Sequence, residues 1–279
     1  MAKARFDRLV WDDNDLITID GVRFQLCERF EGPPRLPPDT FWLFKGRPLM
    51  DDYFAVFARY AELDVRNIFE LGIWETGSVA FWTQCFQPEK HVAVDLASPR
   101  TPAYFNRYIE KNGLQSRVRL YWQTNQADAP RLLDICRREL TGPLDLVIDD
   151  ASHLLAPTVA SLVTLFPLLR EGGLFIVEDW AWKLNPVAAA FPKDEPGLIP
   201  LIDQLKPLAE TAPDLLRSIE VRDTLFTLER GPMPEAEART QLTRLLSPRY
   251  KDSPLLIKRM VRATPAWRAV RSVVRKVRP

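Results

Sequence analysis

Histidine and cysteine are scarce in this 279-residue chain, with two and three copies respectively. Cys27, Cys85 and Cys136 are odd in number, lie far apart and form no C-x-x-C pair. That argues against a disulfide framework or a structural zinc site and makes a reducing, cytoplasmic setting the default. No apolar run approaches the roughly 18 residues that span a bilayer. The charged stretch 1–11 lacks the apolar centre of a signal peptide. No internal repeat is present. The chain has 38 basic and 37 acidic residues, a net charge of +1, which argues against a general nucleic-acid binder. Hydrophobic residues at 46% and charged residues at 27% exclude disorder as the main state.

The near-zero charge conceals a split. Residues 250–279 hold nine Lys/Arg and one Asp, a net +8, so residues 1–249 carry −7. Leu255, Leu256, Ile257, Met260 and Val261 interleave with the tail's cations, followed by Trp267, Val270, Val273 and Val274. Such a segment can dock on the acidic body of this chain or of a partner subunit. It can also make weak peripheral contact with anionic lipid.

Local patterns divide the chain into an N-terminal extension (1–64), a central domain (65–232) and a helical, basic C-terminal tail (233–279). In the first part, runs at 16–19 and 22–26 flank Asp20-Gly21, a two-residue hairpin signal. A proline-rich loop follows at 32–38. The spacing of Tyr53, Phe54, Phe57 and Tyr60 predicts a helix over 51–63. From residue 67, strands predicted at 67–71, 91–96, 117–122, 144–149 and 173–177 alternate with helices at 77–85, 103–111, 129–139 and 157–170. Gly172-Gly173 suits the stop of the last helix. Apolar strands alternating with helices imply a parallel sheet covered on both faces. Runs at 218–221 and 224–228 around Arg222-Asp223 then predict a final antiparallel hairpin, which no further right-handed crossover can supply. The expected fold is α/β and Rossmann-like, with a mostly parallel seven-stranded sheet.

In such sheets ligands bind beyond the carboxyl ends of the strands. After the first strand of the series comes Glu70-Leu71-Gly72-Ile73-Trp74-Glu75-Thr76-Gly77-Ser78, whose glycines let backbone approach a ligand. Its spacing is not G-x-G-x-x-G. After the second comes Asp95, whose carboxylate can accept hydrogen bonds from ribose hydroxyls. These two features favour a ribose-bearing cofactor without separating a nicotinamide from S-adenosylmethionine. The fourth strand ends in Asp149-Asp150-Ala151-Ser152-His153 and the fifth in Glu178-Asp179-Trp180. Four carboxylates on one rim raise one another's pKa unless a cation neutralises them. All-oxygen ligands suit a hard ion such as Mg²⁺, with Asp150, Glu178 and Asp179 as the expected ligands. His153 is placed to take a proton from a hydroxyl held there. His91 opens a buried strand and reads as structural. Trp180 and Trp182 either stack on a substrate ring or pack the loop.

On these residues the chain resembles the class I S-adenosylmethionine-dependent methyltransferases. More narrowly it resembles the Mg²⁺-dependent sugar O-methyltransferases of natural-product pathways and the similar cephalosporin-hydroxylase-type family. The resemblance covers about residues 65–230. It implies that Glu70, Gly72, Gly77 and Ser78 line the cofactor site, that Asp95 holds its ribose and that Asp149 faces its methionine end. It also implies Asp150, Glu178 and Asp179 as Mg²⁺ ligands, His153 as general base, and an adenine contact within 123–128. Such families often carry glycine where this chain has Thr76, a residue ill suited to positive φ.

The implied reaction is methyl transfer from S-adenosylmethionine to a hydroxyl of a small-molecule acceptor, a sugar or a glycosylated natural product. A catechol-type phenolic acceptor, a nicotinamide-dependent oxidoreductase and a non-catalytic cofactor-binding scaffold are the alternatives. Assembly into a homo-oligomer is expected by analogy alone.

Overall fold

The computed structural model describes residues 6–12, 15–27, 36, 39–184 and 194–246. Most of the proline-rich loop and the whole of the basic tail lie outside the described residues.

The N-terminal extension forms a four-stranded sheet in the order β1 (Leu9–Trp11), β2 (Leu16–Ile19), β3 (Val22–Leu26) and β4 (Thr40–Leu43). The expected β2–β3 hairpin turns at Asp20 (φ 49°) and Gly21 (φ 80°), the paired positive φ of a type I′ turn. Strands β1 and β4 were not anticipated. β4 pairs with β3 in parallel, so the connection must cross over and no hairpin signal announces it. Helix α1 (Arg47–Arg59) starts and ends four residues earlier than predicted, with Pro48 in its first turn.

The main sheet has seven strands in the order β10-β11-β9-β8-β5-β6-β7. Its strands are β5 (Asn67–Leu71), β6 (Lys90–Val94), β7 (Val118–Tyr121), β8 (Leu144–Asp149), β9 (Leu169–Glu178), β10 (Leu216–Val221) and β11 (Leu225–Arg230). Neighbours from β7 through β9 pair in parallel, and β11 runs antiparallel to both β9 and β10. Helices α2 (Gly77–Phe86), α3 (Ala103–Lys111), α4 (Ala129–Glu139) and α5 (Leu155–Leu165) are the crossovers. Helix α6 (Ile199–Thr211) precedes β10, and α7 (Glu235–Leu246) follows β11.

Alternation along each strand divides the core in two. Ile68, Ala93, Leu146, Ile148, Leu174 and Ile176 face a layer made by α1, α2, α3 and the N-terminal sheet. Phe69, Leu71, Val92, Val94, Val147, Phe175 and Val177 face α4, α5, α6 and α7. Fully buried rings such as Trp82, Phe81 and Phe57 tie the first layer together, each worth about 1.5–3 kcal/mol of apolar transfer. Helix α5 ends at Leu165 rather than Arg170, and β9 begins at Leu169. Gly172 (φ 72°) sits inside β9 near an irregularity in its pairing with β8, so the glycine pair bends a strand instead of ending a helix.

The order reverses between β5 and β8: successive strands add outward on one side through β6 and β7, and on the other through β9. Ligand crevices form at such a point. There Gly72 (φ 98°) lies so close to the neighbouring exit that a Cβ would meet the Asp150 carbonyl oxygen at 2.1 Å.

Candidate active site

Backbone strain concentrates along the carboxyl rim of the sheet. Trp74 (φ 49°) and Thr76 (φ 71°) follow β5, Gln123 (φ 55°) follows β7, His153 (φ 54°) follows β8 and Asp179 (φ 54°) follows β9. Left-handed conformation costs a side chain about 1–2 kcal/mol and persists where surrounding structure imposes it. The unfavourable Thr76 is held this way while fully buried.

Asp95 supports that turn. Its Oδ2 accepts the amides of Ile73 (2.8 Å) and Trp74 (3.0 Å), and its Oδ1 accepts the amide of Ala97 (2.7 Å). Three of roughly four lone-pair sites are used, leaving one for a hydroxyl. Glu70 is fully buried. Its Oε2 lies 3.0 Å from His91 Nε2, whose Nδ1 lies 2.9 Å from the Thr83 hydroxyl. Glu70 Oε1 is buried with no hydrogen-bond partner. His91 is thus a core residue, as its position in the sequence suggests. Gly77 opens α2 where a Cβ would meet the Trp42 carbonyl oxygen at 1.5 Å, so its immediate neighbour is β4. Ser78 is the half-buried second residue of α2.

The exit of β7 turns inward. Gln126 Nε2 donates to both oxygens of Asp149 (3.1 and 3.2 Å), and its Oε1 accepts the amide of Ser152 (3.0 Å). Ser161 donates to Asp149 Oδ2 at 2.6 Å. Burial pushes the Asp149 carboxyl up to about 6, against the pull of the Ser161 hydroxyl. Asp149 therefore anchors the 151–153 loop in this structure. Asp128, in the stretch expected near adenine, caps α4 by accepting the Arg131 amide.

His153 lies between two carboxylates, with Nε2 3.7 Å from Asp150 Oδ1 and 3.8 Å from Asp179 Oδ2. Its Nδ1 is buried with no hydrogen-bond partner, and its carbonyl accepts Trp182 Nε1 at 2.8 Å. Trp182 is buried, and Trp180 Nε1 donates to the Arg222 carbonyl at 2.7 Å, so both rings pack the loop. One ligand atom from each of Asp150, His153 and Asp179 falls within 4.8 Å of the others, a spacing that fits a metal ion.

Glu178, expected beside them as a ligand, is engaged elsewhere. It falls on the β9 face shared by Leu174 and Ile176, toward α1 and β4. Lys45, just past β4, places Nζ 2.5 and 2.7 Å from the two Glu178 oxygens and 2.9 Å from Asp150 Oδ2. The Tyr53 hydroxyl donates to Glu178 Oε1 at 2.5 Å. Burial pushes the Glu178 carboxyl up, and the Asp150 charge pushes the same way against Lys45 and Tyr53. Burial alone would lower the Lys45 pKa, but the two carboxylates reverse this and keep the ammonium charged. Neither Lys45 nor Tyr53 stands out in the sequence as a site residue. The available signal was a lone lysine directly after the apolar run Phe41-Trp42-Leu43-Phe44.

Asp52 on α1 locks this layer to the final hairpin. It accepts Arg222 Nε (2.9 Å) and both the amide and hydroxyl of Thr224 (2.9 and 2.6 Å), while the Thr224 carbonyl accepts the Asp179 amide (2.7 Å).

Residues 69–180 match the family described as a methyltransferase domain. The mycinamicin VI 2''-O-methyltransferase of Micromonospora griseorubida is 34% identical over 135 residues, covering 46% of this chain and 30% of that protein. The 8-demethyl-8-(2-methoxy-alpha-L-rhamnosyl)-tetracenomycin-C 3'-O-methyltransferase of Streptomyces olivaceus is 30% identical over 207 residues, covering 66% and 48%. The chain therefore spans less than half the length of these curated relatives. Among solved structures, a methyltransferase of the mycinamycin pathway in complex with Mg, SAH and mycinamycin VI aligns over 65% of this chain and 49% of its own, at 25% identity and a TM-score of 0.49. Its central residues are thus similar to a methyltransferase domain, and the chain is similar to O-methyltransferases named for mycinamicin and rhamnosyl-tetracenomycin compounds.

Proposed function

We propose that this protein transfers a methyl group from S-adenosylmethionine to a hydroxyl of a sugar borne by a natural product, assisted by a divalent cation such as Mg²⁺. The observation that carries the reading is His153, held between Asp150 and Asp179 at the strand-order reversal. The named activities of the matched relatives, a mycinamicin VI 2''-O-methyltransferase and a rhamnosyl-tetracenomycin-C 3'-O-methyltransferase, support the sugar acceptor.

The residues fit both groups. For the cofactor, Glu70 keeps an unpartnered buried oxygen and Asp95 a spare lone pair at adjacent strand ends. Gly72, Gly77 and Ser78 shape the turn between them. For the cation, Asp150 and Asp179 offer carboxylate oxygens, and the Asp179 side chain is 55% exposed, leaving positions for water or substrate. When bound, the cofactor supplies an electrophilic sulfonium methyl and the cation acidifies a neighbouring hydroxyl. The chain supplies geometry and a base. His153 Nε2 is placed to accept the proton of the acceptor hydroxyl, which would leave that oxygen free to take the methyl group that a bound cofactor would supply. Trp182, through the His153 carbonyl, and Gln126, through Ser152, fix the loop that aims the imidazole. Positioning of this kind supplies much of the barrier reduction in a bimolecular transfer.

Mass spectrometry over a panel of glycosylated polyketides and their aglycones, with S-adenosylmethionine and Mg²⁺ present, tests the reading. Glycosides should gain one methyl and aglycones none. Calorimetry that detects NAD binding and no S-adenosylhomocysteine binding would overturn it.

A further inference from the structure

We infer that Lys45 is a permanent counter-cation of this rim, which withdraws Glu178 from the divalent-ion site and leaves Asp150 and Asp179 as its carboxylate ligands beside His153. This rests on the cation-assisted reading above and changes the ligand set expected from sequence.

The ammonium has three N–H donors and three carboxylate acceptors within 2.9 Å, two on Glu178 and one on Asp150. Tyr53 takes up further capacity of Glu178 Oε1. The side chains of Lys45 and Glu178 are each 1% exposed, so solvent has no access to the pair. A Mg²⁺ ligand must approach to about 2.0–2.1 Å in near-octahedral geometry and the ion keeps several waters. On Glu178 that space is filled by the ammonium, and two cations on one dry carboxylate repel strongly.

Exposure follows the same division. Side-chain exposure rises from 1% at Glu178 to 23% at Asp150 and 55% at Asp179. Asp150 faces both ways: its Oδ2 meets Lys45, and its Oδ1 turns to His153. The charges agree with this partition. Three carboxylates less one ammonium leave two negative charges, the amount one divalent ion neutralises. Lys45, just past the N-terminal sheet, therefore reaches the catalytic rim as a positioning residue that sets the affinity and composition of the cation site.

Mn²⁺ binding, read from the EPR signal of the free ion, tests this on the full chain without turnover. The decisive variant is K45M/E178Q, which conserves net charge and leaves no buried unpaired ion. It should bind Mn²⁺ within about threefold of wild type, whereas D179N should lose tenfold or more, the usual scale for a disturbed metal site. K45M alone, where melting curves show it folded, should bind about tenfold tighter, since Glu178 is released to the ion. Loss of tenfold or more in K45M/E178Q, matching D179N, would overturn the inference and leave the parent reading intact. S-adenosylhomocysteine binding, measured calorimetrically on the same samples, reports the parent reading separately. Wild type that binds this ligand but no Mn²⁺ at millimolar concentration overturns the cation-assisted step and this inference together.

Discussion

Gln126 donates to both carboxylate oxygens of Asp149 from the end of a different strand, and with its own oxygen it receives the amide of Ser152. One buried amide thus ties β7 to β8 and aims the loop that carries His153. Gln126→Ala leaves a buried carboxylate and a backbone amide short of partners, at about 1–3 kcal/mol for the exposed deficit. Thermal denaturation should fall by about 2–4 °C for each kcal/mol lost. Methyl transfer should drop further than S-adenosylhomocysteine affinity, because the loop and not the β5–α2 turn loses its support.

His153→Ala should reduce turnover by roughly 10²–10⁴-fold, the contribution of a positioned general base. Calorimetric affinity for S-adenosylhomocysteine should remain near the wild-type value. Equal loss of both would assign His153 to cofactor binding instead.

Exhaustive treatment with a chelator should abolish methyl transfer, and added Mg²⁺ should restore it. The same treatment should leave the far-ultraviolet circular dichroism unchanged, because Lys45 already pairs the buried carboxylate of the rim. Full activity after chelation would remove the cation from the mechanism.

Gly77→Ala places a methyl 1.5 Å from the Trp42 carbonyl oxygen, a backbone atom that cannot rotate away. Overpacking of this kind costs about 1–3 kcal/mol or more. The variant should melt lower. It should also show faster proteolysis within the N-terminal sheet, since β4 is the element that must retreat.

Cys85 and Cys136 should resist alkylation in the native protein. Burial pushes the Cys136 thiol up to about 12 and the Cys85 thiol also upward, so neither forms a thiolate near neutrality. Native labelling followed by peptide mapping should find modification at Cys27 alone. All three should react once denaturant is added.

The central α/β pattern was readable because its strands are short apolar runs and its helices carry clear periodicity. The strand Asn67–Leu71, the helix Ala103–Lys111 and the strand Leu144–Asp149 have the expected bounds. The final hairpin was readable from its turn and from the rule against a further crossover. The rim acids and His153 were readable because strand ends in such sheets are where ligands bind. Strand β4 was not, because it follows prolines and joins its neighbour in parallel across a long connection. Lys45 was hidden for the same reason: its partners Asp150 and Glu178 are 105 and 133 residues away, and no local rule relates them. Asp149 and Asp95 illustrate a subtler limit. Both were legible as strand-end carboxylates, but their hydrogen bonds to backbone and to Gln126 depend on loops whose paths only the folded chain defines.

The left-handed backbone at Trp74, Thr76, His153 and Asp179 bears on how this protein would respond to selection for heat resistance. Glycine at Thr76 relieves strain of about 1–2 kcal/mol. It also loosens the turn that the other rim residues lean on. The loss of the fully buried Thr76 side chain and the greater freedom of an unfolded glycine offset that relief, so selection for heat resistance alone would leave the strained edge in place.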